Sequence, residues 1–182
     1  MTAARAPVAA PSRLLQQSKV LSLSRFIFPR LTRGFFVRIA LVAVVTWLVG
    51  TYWLRPMIVD GASMEPTYAA HGFNVCVLTA YRSHPPARGD VVALRYGGTR
   101  YMLLKRVLAF EGESVAFSNG VCVVDGKVLD EPYVVKNSDW TVPPRTVQPG
   151  HVYVMGDNRS VPFENHVGGE ISLARVAGKV LW

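Results

Sequence analysis

Two residues in this chain have types and surroundings that suit covalent catalysis: a serine at 63 and a lysine at 105. Ser63 stands in Gly61-Ala62-Ser63-Met64-Glu65-Pro66-Thr67, a short segment bounded by turn residues. Lys105 stands in Tyr101-Met102-Leu103-Leu104-Lys105-Arg106-Val107-Leu108. If that stretch is a strand, alternation puts Tyr101, Leu103, Lys105 and Val107 on one largely apolar face. Burial there disfavours an ammonium, so such a lysine titrates below its usual value and can act as a general base toward a hydroxyl. Arg106 points the other way, and a guanidinium does not give up its proton, so it cannot be the base. Each segment alone also fits an ordinary turn serine and a snorkelling strand lysine. A third segment, Tyr153-Val154-Met155-Gly156-Asp157-Asn158-Arg159, reads as a strand entering a turn whose Asp and Asn can bond local backbone. Among the histidines, His71, His84, His151 and His166, none lies in a recognisable Ser/His/Asp pattern.

The elements that position these residues follow from composition and spacing. The 182 residues carry 20 Lys+Arg and 12 Asp+Glu, a net charge of +8. Half of the residues are hydrophobic, which excludes a long disordered chain. Seven basic residues and no acid fall within 1–38 (Arg5, Arg13, Lys19, Arg25, Arg30, Arg33, Arg38), and the first acid is Asp60. The remainder, with 13 basic and 12 acidic residues, is nearly neutral. That leaves no basic stripe for nucleic acid. The charge instead flanks an apolar run, residues 35–54, uncharged from Ile39 to Leu54. Twenty helical residues span about 30 Å, a bilayer core. Arg38 and Arg55 can snorkel, and Trp47, Tyr52 and Trp53 can anchor at the interface.

The expected organisation is therefore a basic cytoplasmic tail (1–34), a single transmembrane signal anchor (35–54) and an exported domain (55–182), oriented by the positive-inside rule. A buried globular helix, a cleaved secretory signal and an organellar transit peptide are the rival readings. No small-x-small cleavage site follows the run.

The exported part reads as β-rich. Phe73–Thr79, Asp90–Tyr96 and His151–Met155 are strand-like, and Asn119-Gly120 and Asp125-Gly126 each sit between β-branched segments, as tight hairpins require. Pro-rich pieces at 84–86 and 143–149 read as loops. The expectation is a mainly β domain of antiparallel meanders. Cys76 and Cys122, 46 residues apart, are either a disulfide of an oxidising compartment or two separate buried thiols.

Taken in order behind one anchor, SMEPT, then RGDVV (Arg88–Val92), then LLKRVLAFEGESV, then GHVYVMGDNR resemble the type I signal peptidases, the S26 family of membrane-anchored Ser/Lys-dyad endopeptidases. The resemblance covers roughly residues 57–182. It implies an antiparallel signal-peptidase β-fold, with Ser63 as nucleophile and Lys105 as general base. It implies that Met64 and Pro66 shape the nucleophile's turn, and that Gly156, Asp157, Asn158 and Arg159 support the pair. Gly61 stands where some relatives carry an oxyanion-assisting hydroxyl, so the oxyanion would rest on the backbone N–H of Ser63, with Ala62 beside it. Val59, Tyr68 and Leu104 are candidate walls of shallow pockets for small residues, and the substrate would lie as an added strand beside the segment around Met57–Gly61 and the Lys105 strand.

The implied activity is removal of signal peptides from exported pre-proteins at the outer, periplasmic or extracellular, face of the cytoplasmic membrane, near the secretion translocon. No metal and no organic cofactor are implied. A dedicated maturation peptidase of the same superfamily, of pilus or conjugation type, and a non-catalytic membrane-tethered domain that binds signal peptides or a secretion partner are the alternatives. The segment after the turn departs from the family: Pro162 falls where a lysine-steadying Ser is usual, Glu164 where an Asp is, and His166 where an Arg is. Ser160 is the candidate replacement for the lost hydroxyl. A Glu164–His166 contact would need a protonated imidazole. Arg175–Lys179 resembles the family's closing Gly-Lys segment.

Overall fold

The computed structural model describes residues 32–59, 61–96, 101–135 and 138–181. The expected cytoplasmic tail lies almost wholly outside the described residues, and so does Asp60. The chain falls into two units, Met1–Trp47 and Leu48–Trp182.

Helix α1 runs from Arg33 to Tyr52, 20 residues. It has a mean hydropathy of 1.9, and none of its residues is buried. Its apolar side chains point all round rather than along one stripe, the pattern of a helix surrounded by lipid. Its length and composition suffice to cross a bilayer. It begins two residues before the expected 35–54 span and stops two before its end. Pro56 lacks the N–H that a continuing helix needs, and Leu54 already pairs with Val77.

Among the described residues, eleven strands make two antiparallel sheets. The larger contains β1 (Leu54–Ile58), β2 (Phe73–Val77), β3 (Val91–Tyr96), β4 (Tyr101–Phe110), β9 (His151–Met155), β10 (Gly169–Ser172) and β11 (Val176–Leu181). Their order is β1-β2-β11-β3-β4-β9-β10. The smaller contains β5 (Ser114–Ser118), β6 (Val121–Val124), β7 (Lys127–Val128) and β8 (Val142–Thr146), in the order β7-β6-β5-β8.

The hairpins form where the sequence places them. Asn119 and Gly120 have φ of 48° and 78°, and Asp125 and Gly126 have 50° and 74°. Positive φ at both central residues is the requirement of a type I′ turn. The expected meanders form in part: β5, β6 and β7 are consecutive neighbours, whereas in the larger sheet β11 lies between β2 and β3. The segment around 143–145, expected as loop, is strand β8 on the edge of the smaller sheet, where the missing N–H of Pro143 and Pro144 is tolerated.

Three apolar clusters hold the unit together. One joins β4 and β9 to the smaller sheet through Leu108, Phe117, Cys122, Trp140, Tyr153 and Met155. A second lies under the Ser63 turn and contains Val59, Met64, Tyr68, Cys76, Ala93 and Leu104. A third contains Val92, Leu94, Val107, Val152 and Val154. Each fully buried side chain of this size contributes about 1.5–3 kcal/mol. Cys76 and Cys122 are free, buried and in different clusters, so the disulfide reading gives way to separate thiols. Burial pushes them up to about 11 and about 12 respectively.

Candidate active site

Lys105 lies on β4, opposite Val92 of β3, and Leu103 and Val107 are its same-face neighbours along the strand. Val92 and Val107 are fully buried, and Lys105 itself is 2% exposed. The side chain of Tyr101 lies outside the described residues. Water cannot solvate an ammonium at such a site. Burial therefore lowers Lys105 to about 8, and the charge of Asp157 only partly opposes this. Lys105 Nζ donates to Ser63 Oγ at 2.9 Å. Ser63 is half-buried in a turn that begins at Gly61, whose φ of 99° is a left-handed conformation suited to glycine. Among the described residues, the backbone N–H of Ser63 meets no hydrogen-bond acceptor.

The Gly156–Arg159 turn clamps this segment from behind. Asn158 N–H donates to Ser63 O at 3.0 Å, and Asn158 Nδ2 donates to Ala62 O at 2.9 Å. Gly156 lies so close that a Cβ there would stand 2.2 Å from Ser63 O. Asp157 is fully buried and accepts from Thr67 Oγ1 at 2.6 Å. It also takes both prongs of Arg106, Nε to Oδ1 at 2.9 Å and NH2 to Oδ2 at 2.6 Å. Arg106 in turn donates to Gly89 O at 2.7 Å and stacks on Tyr133, 3.8 Å from the ring centroid. Arg159 is 1% exposed, donates Nε to Gly156 O at 3.0 Å and pairs with Glu131. The turn is thus tied at three places to strand β4, to the Ser63 segment and to the loop at 131–133.

Met64 is buried at 1% exposure beneath the turn, while Ala62 and Pro66 are exposed. Val59, Tyr68 and Leu104 sit together in the cluster under Ser63 rather than facing outward. Ser160 does not take over the lost hydroxyl's place: its Oγ donates to Asn158 Oδ1 at 2.6 Å. The Glu164–His166 contact does not form either. Glu164 is exposed, whereas His166 is buried. The imidazole is pushed down to about 4 by burial first, then by the charge of Lys105, so it is neutral. None of the four histidines touches Ser63 Oγ, whose partner among the described residues is Lys105.

Arg106, Thr67, Glu131 and Tyr133 form a half-buried support network around buried Asp157 and Arg159 that the sequence expectations missed. Arg106 carried one signal, its position on the strand face opposite to Lys105. Glu131 and Tyr133 lie in a loop with no periodicity and carried none.

A half-buried hydroxyl hydrogen-bonded to a desolvated amine is the arrangement of an activated nucleophile and its base. The family model described as signal peptidase, peptidase S26, matches residues 32–182. A probable signal peptidase I-1 of Synechocystis is 30% identical over 155 residues, covering 80% of this chain and 79% of that protein. Signal peptidase I of Bacillus caldolyticus is 27% identical over 80% of this chain and 85% of that one. Signal peptidase IB of Staphylococcus aureus is 29% identical over 79% of this chain and 84% of that one. With its family model matched over most of its length and the antiparallel β architecture already described, the chain belongs to the signal peptidase family, peptidase S26.

Proposed function

We propose that the chain is a membrane-anchored serine endopeptidase that cuts signal peptides from exported pre-proteins with Ser63 as nucleophile and Lys105 as general base. The observation that carries this reading is the 2.9 Å contact between Ser63 Oγ and the buried Nζ of Lys105. Neutral Nζ takes the hydroxyl proton as Oγ attacks the scissile carbonyl. The resulting ammonium returns the proton to the leaving amine as the C–N bond breaks, which leaves an acyl-enzyme. Water, deprotonated by the same amine, then releases the acid and restores the serine. The Ser63 N–H, free of acceptors among the described residues, is available to the oxyanion; donors of this kind are worth about 10²–10³ in rate.

The substrate is expected to extend along Met57–Gly61, because β1 is an edge strand with backbone groups open to pairing. The pockets for small side chains would be floored by Val59, Tyr68 and Leu104. The acid-free, seven-fold basic N-terminal segment supports a cytoplasmic tail, which puts the β domain on the far face of the cytoplasmic membrane, near the translocon. A purely binding domain has no need of an amine stripped of water beside a hydroxyl, so the catalytic reading is preferred. A serine-reactive acylating probe tests it: mass spectrometry should find the adduct on Ser63, and labelling should vanish in Ser63→Ala. Absence of Ser63-dependent labelling would favour the binder. Accumulation of many uncut precursors after depletion would mark a general peptidase, and accumulation of one a dedicated maturation enzyme.

A further inference from the structure

Beside Ser63 and Lys105 lies a buried polar atom that the chemistry above does not use, Nδ1 of His166. The residue is 9% exposed. Its ring is held at two places. Nε2 lies 3.0 Å from Asn158 O, and a carbonyl only accepts, so Nε2 carries the ring proton and donates it. Trp140 packs against the ring edge-to-face, with centroids 4.8 Å apart. With Nε2–H committed, Nδ1 is a bare lone pair. It has no hydrogen-bond partner among the described residues. Buried acceptors are rarely left so, because they forfeit their bond to water.

The ring's location gives that lone pair a use. Cε1, which is bonded to both ring nitrogens, lies 3.1 Å from the point where a Gly156 Cβ would stand. The same point is 2.2 Å from Ser63 O. Met155 pairs with Arg106 at the end of the β4–β9 ladder, so the chain leaves that ladder at Gly156 on the side toward Lys105. Ser63 and His166 therefore meet at one glycine, Lys105 is bonded to that serine, and its charge acts on the imidazole. An ammonium has three N–H donors, and among the described residues only Ser63 Oγ accepts from Lys105. The charged groups that bear on the imidazole are Lys105 from β4 and Arg159 from the turn, the latter paired with Glu131.

We propose that His166 is a positioning residue for Lys105: its neutral imidazole, fixed by Nε2–H on Asn158 O, offers Nδ1 as acceptor to an N–H of Lys105, directly or through one water. It acts when Lys105 holds the proton taken from Ser63, orienting the ammonium and favouring it. The imidazole gains and loses no proton. The inference rests on the Ser63–Lys105 reading.

The test uses the full chain in detergent with 15N-labelled histidine. The Nδ1 resonance of His166 should move toward the value of an unbonded imidazole nitrogen in Lys105→Met. Kinetics supply the second arm. His166→Gln keeps a donor and an acceptor and should retain kcat within a few-fold. His166→Phe keeps the ring but not the acceptor, and should lose about 10- to 100-fold in kcat with little change in KM. Its rising pH–rate limb should shift toward acid, because a less favoured ammonium deprotonates earlier. An Nδ1 resonance indifferent to Lys105→Met, or a limb that stays in place in His166→Phe, overturns the proposal whatever the loss in kcat. Wild-type cleavage by Ser63→Ala and Lys105→Met would instead sink the underlying dyad. Inactive dyad variants with an unmoved Nδ1 resonance would sink the role of His166 alone.

Discussion

Lys105 pairs a chemical advantage with a stability cost. Its folded value of about 8 lies below the ordinary 10.5, so between those values the unfolded chain binds a proton that the folded chain does not. Stability should therefore rise as pH increases through that window, and at neutral pH the burial is a standing cost of order 3 kcal/mol. Loss of the bond to Ser63 offsets part of it. Lys105→Met is thus expected to be more stable than the parent by about 2 kcal/mol at pH 7, as read by urea unfolding, and the gain should vanish above pH 10. A Met variant less stable at pH 7 would mean that the lysine is not desolvated as described. At this scale the sequence was informative where chemistry and pattern coincided. A lysine among alternating apolar residues announces its own burial, and a serine between Gly and Pro announces a turn. The sequence was silent where support comes from far along the chain. Glu131 meets Arg159 across 28 residues, and nothing local to either marks the partner.

The elements do the positioning. Strand β9 delivers Gly156 against the carbonyl of Ser63, and the following turn pins residues 62 and 63 through Asn158. Gly156→Ala would force a methyl group to within 2.2 Å of backbone oxygen, so the turn or the serine segment must shift. Displacements of about 1 Å cost about 100-fold in such sites. The variant should lose at least that in kcat/KM and unfold at lower temperature, as shown by turnover assays and thermal denaturation; near-parental turnover would show that the clamp is dispensable. The hairpins were legible because Asn-Gly and Asp-Gly dictate positive φ by themselves. The place of β11 between β2 and β3 was not, since sheet order depends on which distant edges meet, and alternation within a strand does not encode its neighbours. Pro143 and Pro144 misled for a related reason: proline excludes a central strand but not an edge.

The whole molecule separates an apolar helix from a nearly neutral β unit, and the charge excess lies at the N-terminal side of that helix. In inverted or spheroplast membranes the chain should resist carbonate extraction. Protease added to intact spheroplasts should degrade the β unit and spare the basic tail, protease added to inverted vesicles should do the reverse, and the opposite patterns would reverse the topology. The apolar helix was readable from sequence because an uncharged run needs only counting along the chain. The proposed chemistry, however, lies in two side chains 42 residues apart. Its most direct test is the pH dependence of pre-protein cleavage by the purified full chain, with Ser63→Ala and Lys105→Met beside it. The parental rate should climb as pH rises through about 8, where Lys105 loses its proton, with no measurable turnover in either variant. Cleavage at the parental rate by either variant would contradict it.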